Sequence, residues 1–164
     1  MHMRKFNTKK NYCFLLSLFF TISLLAQDIA LNEVMSSNFN TVLDEDGTAQ
    51  DWVELFNYGS VPVNLNGYGL TDDPTLPYKW TVPNVTMEPN SFLIIWASDK
   101  DRAVVGEPLH TNFKISADGE QVFLTDPAGT LLNESPATAL PEDVSLGRQP
   151  NGTGTWLYFY EPTP

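Results

Sequence analysis

The carboxylates in and around residues 51–70 are of a type and spacing that could bind a metal ion. Six acids precede or flank this segment: Asp44, Glu45, Asp46, Asp51, Asp72 and Asp73. Ca²⁺ prefers several hard oxygen ligands, and weak sites suffice in exported proteins. We therefore predict that Asp44, Asp46 and Asp51 are metal ligands, with Ca²⁺ as the cofactor if there is one. The alternative is a solvated acidic loop, because the spacing of a calcium-binding helix-loop-helix is missing.

His110 is the candidate base for nucleophilic catalysis, since the other histidine lies near the amino terminus. Its neighbours Leu109 and Thr111 supply no Gly-x-Ser-x-Gly motif. The single cysteine, Cys13, also lies near the amino terminus, so the remainder of the chain has no thiol. We predict that the protein is not an enzyme. A pocket holding His110 beside a serine and an acid would contradict this prediction.

Glu33 and Glu54 fall on predicted strands, where a carboxylate acts either as an acid–base catalyst or as a structural acceptor. A buried carboxylate must be paired, because an unpaired buried charge is very costly. The sequence favours structural pairing, with backbone N–H groups or with Arg148 or Lys114.

Aromatic residues offer a second kind of site, a platform on which sugars stack. Trp52, Trp80 and Trp96 alternate inward and are predicted to be core. The candidate binding residues follow a glycine-rich turn near the end of the chain: Trp156, Tyr158 and Tyr160.

The segment that must position these groups, residues 51–70, reads as two strands and a turn. Trp52 and Glu54 face one way because strand side chains alternate. Gly67 is typical of a bulge or a close backbone approach. We assign structural roles to Glu33, Trp52, Glu54, Asn57, Gly67 and Arg148.

Further short strands are predicted along the rest of the chain, at residues 29–35, 78–82, 91–97, 121–125, 130–132, 144–148 and 155–160. Residues 109–115 also show a period near two, whereas residues 98–102 suit one helical turn. Turn signals every 8–12 residues or so predict an all-β fold, an antiparallel β-sandwich of about eight or nine strands.

Residues 1–27 resemble a secretory signal peptide, with four basic residues followed by a short apolar stretch. The domain then spans residues 28–160, and residues 161–164 begin a linker or tail. We predict a secreted or cell-surface protein with no transmembrane segment after cleavage. Because all twenty acids but only five of the nine basic residues follow residue 27, the body carries a net charge near −15. This charge argues against nucleic-acid binding.

The order and spacing of several segments resemble the lamin tail domain family, in its bacterial secreted branch. The resemblance covers about residues 28–164 and is carried by Leu31-Asn32-Glu33-Val34-Met35, Asp44-Glu45-Asp46-Gly47, Asp51-Trp52-Val53-Glu54-Leu55-Phe56-Asn57, Val63-Asn64-Leu65-Asn66-Gly67-Tyr68-Gly69-Leu70-Thr71-Asp72, Leu109-His110-Thr111-Asn112-Phe113-Lys114-Ile115-Ser116 and Ser145-Leu146-Gly147-Arg148. It implies an immunoglobulin-like sandwich without catalytic residues, usually one part of a larger multidomain chain.

Together these observations predict a non-catalytic interaction or scaffold module. Its partner is a protein or cell-surface ligand, bound through loops or a sheet edge. The alternative is a calcium-assisted carbohydrate-binding module attached to a larger secreted hydrolase or adhesin.

Overall fold

The structure, a computed structural model, describes residues 28–164, so the predicted signal peptide lies outside the described residues. Within this range the chain forms twelve strands and no helix: β1 (Ile29–Met35), β2 (Asp51–Asn57), β3 (Val63–Asn64), β4 (Gly69–Thr71), β5 (Trp80–Thr81), β6 (Thr86–Met87), β7 (Phe92–Ala97), β8 (Leu109–His110), β9 (Phe123–Thr125), β10 (Leu131–Glu134), β11 (Ser145–Gln149) and β12 (Thr155–Phe159).

The strands build two main sheets. The larger has the order β12-β11-β1-β2-β7-β8 and the smaller β10-β9-β4-β5, while β3 and β6 form a separate pair. Every pairing is antiparallel except that of β7 with β8. The fold is therefore the predicted all-β sandwich, with short extra strands that raise the count to twelve.

The main core lies between the two sheets. The larger sheet contributes apolar residues such as Leu31, Leu55 and Ile95, and the smaller sheet contributes Leu70 and Leu124. All five side chains are completely buried. Apolar burial of this extent is the dominant favourable contribution to folding.

The larger sheet also buries part of its outer face. Trp52 on β2, Met35 on β1 and Trp96 on β7 form a second apolar cluster there. Trp52 is completely buried, as predicted, but it lies in this outer cluster and not in the core between the two sheets. Since side chains alternate along β2, Glu54 lies on this same outer face.

The segment after β7 differs from its prediction. Residues 98–102 form no helical turn, because Asp99 and Asp101 adopt φ values of 63° and 51° in the left-handed region. Isolated bridges instead join Ser98 to Lys114 and Arg102 to His110. The predicted strand at residues 109–115 is reduced to Leu109–His110.

The prediction that residues 51–70 form a hairpin was also wrong. β2 pairs with β1 and β7, whereas β3 pairs with β6 and β4 pairs with β5 and β9, because the chain crosses to other sheets after β2.

Residues 28–164 contain no helix long and apolar enough to cross a membrane.

Candidate functional site

The three carboxylates of the acidic loop, residues 44–46, form ion pairs with two basic side chains from the segment after β7. Lys100 Nζ pairs with Asp44 Oδ2 and lies 2.7 Å from Asp46 Oδ2. Arg102 pairs with Glu45 Oε1 at 2.5 Å and with Asp46 Oδ2 at 2.7 Å. These hydrogen bonds, that of Arg102 first, lower the pKa of Asp46 to about 2. The acidic side chains of this loop thus belong to an ion-pair network.

The nearest arrangement to a metal site in residues 28–164 involves Asp44, Glu45 and His110. One ligand atom from each lies within 4.8 Å of the others. Asp44 is already bonded to Lys100 and to the Thr48 backbone and hydroxyl. An entering Ca²⁺ would have to displace Lys100, so calcium binding stays a prediction.

Asp51, the third predicted ligand, has a different environment. Its Oδ1 accepts a hydrogen bond from the backbone N–H of Asn38 at 3.0 Å. Burial raises the pKa of Asp51 despite this bond. Asp72 and Asp73 are also engaged separately, in an ion pair with Lys79 and in a turn around Thr75.

A serine, a histidine and a glutamate do form a hydrogen-bonded chain. Ser98 Oγ lies 2.7 Å from His110 Nδ1, and His110 Nε2 lies 2.9 Å from Glu45 Oε1. In a serine-hydrolase triad the serine contacts Nε2 and the acid contacts Nδ1, the reverse of this order. Both Ser98 and His110 are buried. This chain therefore ties the acidic loop to β8 instead of presenting a nucleophile to substrate.

Two buried glutamates lie side by side on the outer face of the larger sheet. Glu33 on β1 and Glu54 on β2 are directly paired in register, after a bulge at Asn32. Their exposed fractions are 0% and 2%. No described basic residue forms an ion pair with either carboxylate.

Glu33 is held by hydrogen bonds alone. Its Oε1 accepts from the Ser145 hydroxyl at 2.5 Å and from the Thr163 N–H at 3.1 Å. Its Oε2 accepts from the Thr163 hydroxyl at 2.6 Å. Both partners come from outside β1, so Glu33 ties β11 and the carboxyl-terminal segment to the sheet.

Glu54 has a poorer set of partners. Its Oε1 accepts one hydrogen bond, from Asn32 Nδ2 at 2.8 Å, and no described residue donates to Oε2. Burial, and then the negative charge of Glu33, raise the pKa of Glu54 to about 7, although the Asn32 bond acts in the opposite direction.

Arg148 was one of the predicted partners of these glutamates, and that pairing does not form. Its three nitrogens donate at 2.9 Å to Leu31 O, Gly154 O and Asn133 Oδ1. The guanidinium lies 4.4 Å from the centre of the Trp156 ring. The structural role of Arg148 is to join β1, β10 and the β11–β12 turn, and Lys114 forms no ion pair with either glutamate.

A pocket of about 550 Å³ opens beside Glu54. Phe92, Phe159, Asn32 and residues of the β11–β12 turn also line it. Asn32 also accepts from the Gly152 N–H at 2.8 Å, which fixes the turn relative to Glu54. The lining of the pocket therefore combines polar groups with two aromatic rings.

The predicted binding aromatics lie on or just after β12. Trp156 is half-buried beneath Arg148, whereas Tyr158 and Tyr160 are exposed by 47% and 77%. Two of the three predicted rings are therefore exposed, and sugar binding by these residues stays a prediction.

The other residues assigned structural roles lie at strand ends. The Asn57 amide donates at 3.0 Å to both Val61 O and Met87 O. Gly67 adopts a φ of 80°, which favours glycine at this turn.

Several residues of these sites were missed by sequence reasoning. Ser98 contacts His110, and Lys100 and Arg102 contact the acidic loop, which lies 54 to 57 residues earlier in the sequence. Asn32, Phe92 and Phe159 line one pocket together with Glu54, and the four residues come from four different strands, β1, β7, β12 and β2. The one sequence signal available was an unusual polar residue, Glu54, between aromatic residues of a strand.

Two β-sheets packed face to face, almost wholly antiparallel, define an immunoglobulin-like β-sandwich. The Lamin Tail Domain family model matches residues 25–137, more than half of the chain. The protein belongs to the lamin tail domain family. No curated protein shows significant similarity to the chain.

Proposed function

We propose that this protein is a non-catalytic interaction module of a secreted or cell-surface protein that binds an extended segment of a partner polypeptide at β12. The observation that carries the proposal is the character of this edge strand. β12 has one neighbour, β11, and its other side presents unpaired backbone N–H and C=O groups. Such an edge is a template for an added strand.

The sequence of β12 supports this use. Edge strands are ordinarily protected by charged residues, proline, bulges or short length. β12 reads Thr-Trp-Leu-Tyr-Phe, with five residues, no charge and no proline. Its side chains Leu157 and Tyr158 are exposed by 43% and 47%.

The other edges of the two main sheets are better protected. β8 and β5 have only two residues each, and Arg102 forms an isolated bridge with His110 beside β8. β10 carries a register shift and ends at Glu134. The free edge of β12 is therefore the favoured contact.

Charge favours a different protein over a second copy of this chain. Each copy carries a net charge near −15 after residue 27, so two copies repel one another. A segment with basic residues would be attracted instead.

A selection experiment tests the proposal. Short peptides that bind the protein are selected from a random library. Their binding site is then mapped from the changes that they cause in the amide NMR shifts of the protein. We expect shifts along β12 and β11, and loss of binding in Leu157→Lys. The matched variant Leu131→Lys, which adds the same charge on the β10 edge, should bind normally. Peptides that map to the loops, or a protein that dimerises through β12, would overturn the proposal.

A further inference from the structure

We propose that the pocket beside Glu54 receives the ammonium or guanidinium group of a lysine or arginine side chain from a partner polypeptide. This inference rests on the proposed protein-binding function and adds a second contact to it. Strands in a sheet lie roughly 4.8 Å apart. Glu54 is therefore too far from β12 for a side chain of a strand added there to reach it.

The pocket is lined by a buried carboxyl group that forms no ion pair with any described residue, and this group is ionised at pH 8. Glu54 lines it, is 2% exposed, and leaves Oε2 without a donor from the described residues. Glu33 lies directly opposite on β1. Like charges opposed across a strand pair destabilise a sheet, and a bound cation would remove that cost.

The neighbouring cation is already committed to other groups. Arg148 also lines the pocket, but its three donor nitrogens are occupied by Leu31, Gly154 and Asn133. Its guanidinium stacks on Trp156. Arg148 is therefore fixed elsewhere and forms no ion pair with Glu54.

The shape and lining of the pocket suit an organic cation. A volume of about 550 Å³ is more than a single metal ion needs. Phe92 is 47% exposed and stacks on Phe56 at 4.4 Å, so its ring is held in place. The faces of aromatic rings attract organic cations, and Phe159 offers a second ring.

The walls of the pocket are held in position before a ligand arrives. Asn32 donates to Glu54 and accepts from Gly152, so the carboxylate and the turn beside it are held together. Gly147 permits the close approach of Phe159, because a Cβ there would overlap the ring. A site held in this way loses little entropy on binding.

NMR titration with three capped tripeptides tests the inference: glycine-lysine-glycine, glycine-arginine-glycine and the uncharged glycine-norleucine-glycine. The protein carries ¹³C-labelled glutamate carboxyls, so that Glu54 is observed directly at pH 8. We expect the lysine and arginine peptides to shift the Glu54 resonance and to lower its apparent pKa. The norleucine peptide should do neither.

Two variants provide the controls. Glu54→Gln keeps the size of the side chain and should lower the affinity for the lysine and arginine peptides by at least about tenfold. Glu142→Gln removes an exposed acid and should leave binding unchanged. Equal binding of the norleucine peptide, or equal binding by Glu54→Gln, would overturn the inference.

Two further measurements distinguish a pocket for organic cations from a metal site and from the β12 edge. If millimolar Ca²⁺ shifts the Glu54 resonance to a plateau and displaces the peptides, the pocket is a metal site and the inference is overturned. Leu157→Lys should retain peptide binding in the pocket. If no cation binds while peptides still map to β12, the pocket inference fails and the proposed function stands.

Discussion

Glu33 and Glu54 face each other across β1 and β2, both buried, with no ion pair to any described basic residue. Of the two, Glu33 receives three hydrogen bonds and Glu54 receives one. Because Glu54 has fewer hydrogen-bond donors, its ionised form is the less stabilised of the two carboxylates.

The stability of the protein should therefore fall as the pH rises towards neutrality. Glu54 has a pKa of about 7 in the fold against an ordinary value of 4.5, so the folded state holds its proton more tightly. The contribution is complete below about pH 4.5 and is lost as pH rises through about 7. It amounts to about 3 kcal/mol. The charged groups facing Glu54 are Glu33, and Arg148 at the pocket wall.

Glu54→Gln should remove this dependence. Denaturant unfolding at a series of pH values should show a variant more stable than the wild type at pH 8 and similar to it at pH 4.5. Glu142→Gln should follow the wild-type curve. A Glu54→Gln protein less stable than the wild type at pH 8 would show that the Glu54 charge is stabilised by its surroundings.

The Ser98–His110–Glu45 chain should behave as a structural element. Ser98→Ala leaves His110 Nδ1 buried without its partner, which should cost about 1–2 kcal/mol in unfolding free energy. A fluorophosphonate probe should not label Ser98 in the folded wild-type protein, since the serine is buried. Stoichiometric labelling that Ser98→Ala abolishes would instead identify a serine nucleophile.

Lys100 should matter more to stability than Ca²⁺ does. Because Lys100 already pairs with the buried Asp44, we expect millimolar Ca²⁺ to raise the melting temperature by less than about 1 °C. Lys100→Met should destabilise the fold by roughly 1–2 kcal/mol, since Asp44 loses its counter-charge. The control Lys79→Met breaks the more exposed pair with Asp72 and should cost less. A large Ca²⁺-dependent rise in the wild type would establish the metal site.

Gly69 should tolerate no side chain. A Cβ at this position would overlap the carbonyl oxygen of Pro77, which is backbone and cannot rotate away. Gly69→Ala should therefore lower the unfolding free energy by about 3 kcal/mol. Gly47→Ala is the control: it is strained at a φ of 74° but meets nothing within 4 Å, and should cost about 1 kcal/mol. Equal losses in thermal or denaturant unfolding would contradict this difference.

Local pattern was enough to predict the strands that form the centre of the larger sheet. The predicted bounds of β1 agree with the structure, and β2 lies within the predicted segment 51–70, because apolar side chains alternate with others along each strand and turn residues follow. The sandwich follows from the number of such segments. The irregular segment after β7 was predicted wrongly, because the left-handed Asp99 and Asp101 leave no sequence pattern that separates them from a helical turn.

The sites were harder to predict, since they depend on register between distant strands. Glu33 and Glu54 were singled out as strand carboxylates with structural roles, but their mutual opposition depends on the bulge at Asn32. Arg148 seemed a suitable partner by charge alone, yet the backbone carbonyls of Leu31 and Gly154 take its donors. Contacts of this kind are set by tertiary packing.

β11 and β12 lie beyond residue 137, where the family match ends, yet β11 pairs directly with β1. A polypeptide cut at that boundary would uncover β1, whose seven residues are all buried. An exposed edge strand with many apolar side chains can pair with strands of other molecules, which leads to aggregation. A protein shortened at residue 137 should therefore aggregate more readily than the full chain, in which β11 covers the edge of β1.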